Sequence, residues 1–164
     1  MIAWLAWVPV LFFFVIIQKI VVDALTFHYL SLDLTMIFIV FAGLNMGMVR
    51  GSILTMWAGF LVSVLIGAVS TLFMCVYMVV FFLSSLVSVR VLTGNTLFIV
   101  AFTALCATVE GILLMVINWY YLDAVSINAA LRTMLPQIPI LGILSPFFFH
   151  GFRKIEELIH VRKS

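Results

Sequence analysis

The longest uncharged stretch of the chain, residues 52–89, reads SILTMWAGFLVSVLIGAVSTLFMCVYMVVFFLSSLVSV and decides the fold. Its 38 residues include no Asp, Glu, Lys or Arg. A helix needs about 20 apolar residues to cross the hydrocarbon core of a bilayer, so the stretch is too long for one crossing and fits two. Gly67, Ser70 and Thr71 favour a turn near its middle. The stretch therefore predicts two membrane-spanning helices, over residues 52–67 and 72–89.

The rest of the chain has the same apolar character. Of its 164 residues, 66% are hydrophobic and 9% are charged, against roughly 25% charged residues in a soluble domain. Further apolar stretches cover residues 3–22, 34–49, 96–121 and 135–152, and a short charged tail follows over residues 153–164. We therefore expect an all-α integral membrane protein, a six-transmembrane-helix bundle that forms a single domain over residues 1–164. The net charge of +2 is too small to indicate nucleic-acid binding.

The positions of the basic residues support six spans. Cytoplasmic loops of membrane proteins carry an excess of Lys and Arg. With six spans and a cytoplasmic amino terminus, the cytoplasmic side holds Arg50, Arg90, Arg153, Lys154, Arg162 and Lys163, and the outer side holds Lys19 and Arg132. This unequal division predicts that both termini lie in the cytoplasm.

The third predicted span carries a small residue at every fourth position. This small-residue stripe consists of Gly51, Thr55, Gly59, Ser63 and Gly67. Small residues at this spacing lie on one helix face and let two helix backbones approach closely in lipid. The stripe therefore indicates either packing against another helix of the same chain or a docking face for a partner protein.

Glu110 is the only ionisable residue deep inside a predicted span. A charge at that depth costs at least a few kcal/mol, so the side chain should face the bundle interior or a partner. A structural hydrogen bond is the first interpretation. A transport role would need several such groups in series, and the sequence indicates no second buried acid. The last span contains Pro136, expected in its first turn, and Pro146, expected to bend the helix.

Motifs for catalysis are missing from the sequence. It contains no HExxH, no Gly-x-Ser-x-Gly and no Gly-rich phosphate loop. The histidines lack the spacing of metal ligands, and Cys75 and Cys106 are expected to be small buried residues. We therefore predict a protein that is not an enzyme and that has no catalytic residues, metal site or cofactor.

The order of these features resembles the MreD family of bacterial rod shape-determining membrane proteins. The resemblance covers roughly residues 32–157, and its most specific part is the last span. The residues that carry it are, in chain order, Asp33, Arg50-Gly51 with the small-residue stripe, Glu110-Gly111, Leu135-Pro136-Gln137, Leu144-Ser145-Pro146-Phe147 and Arg153-Lys154.

The resemblance implies a non-catalytic component of the bacterial elongation machinery in the cytoplasmic (inner) membrane. Such a protein helps maintain rod cell shape and lateral peptidoglycan synthesis by binding an MreC-like protein and, through it, MreB and the RodA–transpeptidase complex. The candidate partner or packing residues are Asp33, Arg50, Gly51, Thr55, Gly59, Ser63, Gly67, Glu110, Pro136, Gln137 and Pro146.

An alternative comes from the fold that the resemblance implies. That fold is similar to the S-component, the six-helix substrate-binding subunit of energy-coupling-factor vitamin transporters. The chain would then bind a vitamin-like ligand inside the bundle, in a concave site with a few polar groups. The polar groups available for such a site are His28, Glu110, Asn118 and Trp119.

Overall fold

The structure is a computed structural model, and it describes residues 7–25, 33–66, 70–88, 96–122 and 127–161. Over these ranges the chain is all-helical, as the sequence predicts. The six helices of the described ranges are α1 (Trp7–Leu25), α2 (Thr35–Asn45), α3 (Met48–Ile66), α4 (Ser70–Ser88), α5 (Thr96–Leu122) and α6 (Ile127–Val161).

Two of these helices have the length and composition of membrane spans. They contain the apolar stretches Met48–Leu65 in α3 and Thr96–Ile117 in α5. Shorter apolar stretches occupy Trp7–Ile20, Thr35–Asn45 and Phe73–Ser88. Many large apolar side chains are exposed on the outer faces of these helices, among them Phe13, Leu97 and Phe147.

Helix α2 occupies the centre of the bundle. It has only 11 residues, and each of those from Thr35 to Leu44 is buried. It packs against all five other helices. Its sequence, TMIFIVFAGLN, is apolar on nearly every face, which is typical of a core helix or of a membrane span. A helix of this length measures about 16 Å, roughly half the thickness of a bilayer core.

The break after α2 comes earlier than the sequence analysis predicts. The predicted second span ends at residue 49, whereas α2 ends at Asn45 and α3 begins at Met48. Met46 has an extended backbone, and its N–H bonds to the carbonyl oxygen of Ala42. The turn between the two helices therefore lies at residues 45–47, where Asn45 and Gly47 favour a reversal of the chain. Arg50 consequently lies in the first turn of α3.

The helices alternate in direction along the chain. Asp33 contacts Tyr77 near the start of α4, and the Leu44 carbonyl accepts a hydrogen bond from Ser88 near its end, so α2 and α4 run in the same direction. The glycine contacts described next show that α3 runs in the opposite direction. The bundle end that holds the end of α2 therefore also holds the start of α3 and the end of α4.

The small-residue stripe of α3 lies against α4. Gly51, Thr55, Gly59 and Ser63 are all buried, and Gly67 is outside the described residues. A Cβ atom added to Gly59 would be 2.9 Å from the Cα atom of Met74, and one added to Gly51 would overlap the Phe81 ring. The four described residues of the stripe therefore serve packing within the chain.

Replacing Gly59 with alanine should lower the free energy of unfolding by about 1–3 kcal/mol, the usual cost of overpacking a close helix contact. The new methyl group would meet the Cα and backbone nitrogen of Met74, and backbone atoms cannot move aside as a side chain can. Thermal unfolding in mild detergent measures the loss.

Gly151 supplies the matched control for this substitution. It also lies inside a helix, α6, but a Cβ atom there meets nothing within 4 Å. Gly151→Ala should leave stability unchanged or raise it by up to about 1 kcal/mol, since alanine favours the helix. Equal unfolding temperatures for Gly59→Ala and the unmutated chain would contradict the close α3–α4 contact.

Aromatic side chains join α1, α2 and α6. This aromatic cluster consists of Trp7, Phe14, Phe38, Phe41, Phe148, Phe149 and Phe152. Phe152 is its centre: the ring centroids of Phe14, Phe38 and Phe41 lie 5.5, 5.4 and 5.3 Å from that of Phe152. The start of α1 and the late part of α6 thus lie at the same end of the bundle as the end of α2.

Helix α6 is longer than the predicted last span. It runs without interruption for 35 residues and includes Pro136, Pro139, Pro146 and the charged segment after Phe152. The placement of Pro136 in the first turn is wrong, because the helix begins nine residues earlier, at Ile127. Proline is tolerated inside membrane helices when neighbouring groups satisfy the carbonyl that it leaves free. The bend expected at Pro146 stays a prediction.

Candidate functional site: a buried polar cluster around Asp33 and Glu110

The polar side chains of the bundle interior meet at the start of α2. Because α2 is short and central, its first residues lie inside the bundle rather than at the surface. Asp33 immediately precedes this helix. Glu110, in the middle of α5, is 2% exposed, and its side chain is a neighbour of Asp33. The chain thus brings two carboxyl groups together between α2 and α5.

Asp33 accepts hydrogen bonds from three further groups. The Gln18 side-chain amide of α1 donates to Oδ1 over 3.1 Å, and the Thr35 backbone N–H donates to the same oxygen over 3.0 Å. The Tyr77 hydroxyl of α4 donates to Oδ2. The Thr35 hydroxyl in turn donates to Gln18 Oε1 over 2.6 Å. We call Gln18, Asp33, Thr35, Tyr77 and Glu110 the polar cluster.

Both carboxyl oxygens of Asp33 accept hydrogen bonds. A carboxylate is an acceptor with about four lone-pair positions, and the donors of the polar cluster point at these. The side chain also bonds the first backbone N–H of α2, so it lies at the positive end of that helix. Three helices of the bundle, α1, α2 and α4, are therefore joined by hydrogen bonds at the carboxyl group of Asp33.

Glu110 is less completely satisfied than Asp33. Its Oε2 atom is buried without a hydrogen-bond partner among the described residues. The hydroxyl oxygens of Thr55 and Thr103 are also buried without a hydrogen-bond partner among the described residues. Since the Glu110 side chain is a neighbour of Asp33, its free oxygen also lies at the polar cluster. A buried polar atom without a partner costs about 1–3 kcal/mol, so this atom marks a place where the cluster can accept a donor.

The sequence analysis expects no second buried acid, and the neighbour that the structure gives Glu110 is the half-buried Asp33. The sequence analysis predicts a full span over residues 34–49, and a residue that directly precedes such a span would lie at the membrane surface. The structure leaves Asp33 half-buried, next to the buried Thr35 and Tyr77. The composition of α2 could not have found it, because a helix that is apolar on every face is equally typical of a membrane span.

The other candidate residues lie away from the polar cluster. Arg50 is exposed in the first turn of α3, and the stripe residues face α4. Pro136, Gln137 and Pro146 are half-buried on α6. Of the candidate residues, the structure brings together Asp33 and Glu110.

The groups proposed for a vitamin-like ligand are only partly described. His28 lies outside the described residues, and the structure describes no side chains for Asn118 and Trp119. Glu110 is the one member of that set with a described side chain. Because the described neighbours of Glu110 belong to the polar cluster, this residue gives no further support to the binding of a vitamin-like ligand.

The cysteines behave differently from one another. Cys106 is buried on α5, as expected, and its Sγ lies 3.9 Å from the hydroxyl of Ser84. Cys75 is exposed, and the expectation that it is buried is wrong, because α4 turns this face away from its neighbours. Among the described residues, no group of three or more His, Cys, Asp or Glu side chains could hold a metal ion.

Comparisons of the chain with protein-family models, with curated proteins and with solved structures find no match.

Proposed function

We propose that this chain is a multi-pass helical protein of a bacterial cytoplasmic membrane and a non-catalytic adaptor that binds other membrane proteins, in the manner of the MreD family. Its process would be lateral peptidoglycan synthesis and the maintenance of rod cell shape. Its partners would be an MreC-like protein and, through it, MreB and the RodA–transpeptidase complex.

The membrane placement is supported by the apolar exterior and by the direction of the helices. Two described helices are long and apolar enough to cross a bilayer, and Ile143 and Phe147 on α6 are 73% and 77% exposed. Helices that alternate in direction would bring Arg50, Arg153 and Lys154 to one side of the membrane, as the positive-inside rule requires of a cytoplasmic face. Both termini would then be cytoplasmic.

The observation that carries the adaptor interpretation is the central position of α2. All its residues from Thr35 to Leu44 are buried, and it contacts every other helix. The middle of the bundle is therefore filled by protein side chains. A ligand-binding subunit needs a concave site at that place, so the filled centre favours a function exerted on the outer surface.

Helix α6 is the proposed contact surface for the partner. The small-residue stripe of α3 is engaged with α4, whereas α6 carries large exposed apolar side chains within the part of the chain that bears the resemblance. Phe147 follows Pro146 directly, and its ring is turned outward. Large exposed aromatic residues are frequent anchors of protein contacts.

Co-purification in mild detergent tests this proposal. The tagged chain should recover an MreC-like membrane protein from its native membranes, and Phe147→Ala should reduce that recovery by about tenfold, the effect of losing one anchor of roughly 1.4 kcal/mol. Deletion of the gene should turn rod-shaped cells into spheres.

Phe13 of α1 provides the matched control. It is 68% exposed, so Phe13→Ala removes the same ring from another outward face and should leave recovery of the partner unchanged. Rod-shaped cells after a clean deletion without suppressor mutations would count against the proposed role. Equal partner recovery with Phe147→Ala and Phe13→Ala would overturn the assignment of the contact to α6.

A further inference from the structure

Helix α3 has an exposed face opposite its small-residue stripe. Apart from Arg50 in the first turn, this face is formed by large apolar side chains, each between 39% and 58% exposed: Ile53, Met56, Trp57, Phe60 and Val64. Residues that recur every three or four positions lie on one side of a helix. We call Arg50 and these five residues the outward face of α3.

The outward face is unsuited to close packing against another helix. Helices in lipid associate where small residues let two backbones approach, and lipid tails are as apolar as the helices themselves. The small residues of α3 are already packed against α4. On the outward face, the rings of Trp57 and Phe60 pack edge to face, with their centroids 6.3 Å apart. These large side chains favour contact with lipid over contact with a partner helix.

Arg50 is the one charged residue of α3. Its side chain is exposed and has no acidic partner among the described residues. From Arg50 to Phe60 the helix rises about 15 Å, which is the depth of one leaflet in a bilayer core about 30 Å thick. A guanidinium group also matches the charge and geometry of a phosphate. The outward face thus has the order of a phospholipid molecule, a charged end followed by an apolar stretch one leaflet deep.

Arg50 lies at the same end of the bundle as the other described arginine and its neighbouring lysine. Gly51, the next residue, lies against Ala42 near the end of α2. The basic pair at residues 153–154 of α6 follows Phe152, which also packs on the last part of α2. In the proposed topology this end faces the cytoplasm, and the cytoplasmic leaflet is the one that carries anionic lipids.

We infer that the outward face of α3 binds an anionic phospholipid of the cytoplasmic leaflet, with the headgroup phosphate at Arg50 and an acyl chain along Ile53, Trp57 and Phe60. The inference rests on the proposed membrane placement and is independent of the proposed adaptor role, whose contact surface is on α6.

Quenching of tryptophan fluorescence by brominated lipids tests the inference, because bromine atoms on an acyl chain quench a tryptophan that they contact. The full-length protein is placed in phosphatidylcholine vesicles in which a small fraction of the lipid is brominated phosphatidylglycerol or, separately, brominated phosphatidylcholine. The chain has four tryptophans, so the signal of Trp57 is the difference between the unmutated chain and Trp57→Phe. We expect the anionic lipid to bind beside Trp57 about fivefold more tightly, the effect of one basic residue at a membrane surface.

Arg50→Gln should abolish this preference, and Arg50→Lys should keep it because the positive charge remains. Lys154→Gln is the matched control: it removes a positive charge from the same end of the bundle but from another helix, and should leave the preference beside Trp57 unchanged. Arg50 is exposed, so its variants should fold. If Arg50→Gln fails to fold, the unmutated chain still provides a measurement, since added salt should reduce the preference by screening the charge.

Equal quenching by the two lipids in the unmutated chain would overturn the inference. So would an equal loss of preference in Lys154→Gln and Arg50→Gln, because the charge of the whole bundle end would then attract the lipid. Loss of the preference on addition of inorganic phosphate would also overturn it, since the site would then take a free anion. Absence of quenching by either lipid would instead contradict the membrane placement of α3, on which the inference rests.

Discussion

Replacing Asp33 with alanine should lower the free energy of unfolding by about 3–5 kcal/mol. The substitution removes the acceptor from three donors at once: the Gln18 amide, the Thr35 N–H and the Tyr77 hydroxyl. Each buried donor that loses its acceptor costs about 1–3 kcal/mol, and the three effects are not additive because they share one partner. Thermal unfolding in mild detergent measures the loss.

A double substitution separates the hydrogen bonds of Asp33 from its packing. Tyr77→Phe removes one donor and should cost about 1–2 kcal/mol by itself. Adding it to Asp33→Ala should cost nothing more, because phenylalanine needs no acceptor, so the coupling energy of the pair should equal about the whole effect of Tyr77→Phe. Additive losses would mean that Tyr77 does not act through Asp33.

Thr108→Ala is the control for removal of a polar side chain. The Thr108 hydroxyl is exposed on α5 and bonds the Ala104 carbonyl of its own helix. Its loss should change stability by less than about 0.5 kcal/mol, as is usual for surface positions. If Thr108→Ala and Asp33→Ala lowered stability by similar amounts, the hydrogen bonds of the polar cluster would contribute no more to stability than a surface hydroxyl does.

The helical class of the fold was predictable because it depends on composition. Apolar stretches of about 20 residues separated by short polar turns leave the helix as the element that satisfies its own backbone. For the same reason the predicted limits of α5, residues 96–121, agree closely with the observed Thr96–Leu122. The prediction of the second span failed because it relied only on the length of the apolar stretch. The stretch of residues 34–49 is long enough to be read as a span, but its chain reverses at Met46 and Gly47.

That early reversal explains why the polar cluster was not predicted. Glu110 could be recognised as unusual from its depth in an apolar stretch. Its neighbour Asp33 could not, because 77 positions separate the two residues and only the tertiary packing of α2 brings them together. A residue before a full-length span lies at the membrane surface, whereas Asp33, which precedes a short and surrounded helix, is half-buried. The sequence alone left the length of α2 undetermined.

The small-residue stripe illustrates a different limit. Its spacing predicted a close helix contact but not the partner, since packing within the chain and docking of another protein both need small residues. The contact between Gly59 and the backbone of Met74 assigns the stripe to α4. Which helix is adjacent depends on the alternation of direction along the chain, and that alternation follows from the positions of the turns.

Replacing Phe152 with alanine should lower the free energy of unfolding by about 2–3 kcal/mol, the cavity part of a large-to-small substitution. The ring is 4% exposed and packs on Trp7, Phe14, Phe38 and Phe41. In lipid, transfer of the ring from the solvent into the bundle contributes little free energy. The loss of packing contacts with the neighbouring rings therefore accounts for most of the destabilisation.

Phe147 is the matched control for Phe152, because it lies on the same helix and its side chain is 77% exposed. Phe147→Ala should shift the unfolding temperature little, since no cavity forms at an outward position. The two variants together therefore separate the inner face of α6 from its outer face: one should lower stability and the other should lower partner recovery. If Phe147→Ala destabilised the bundle as much as Phe152→Ala, α6 would not have the orientation described, and the proposed contact surface would have to be moved to another helix.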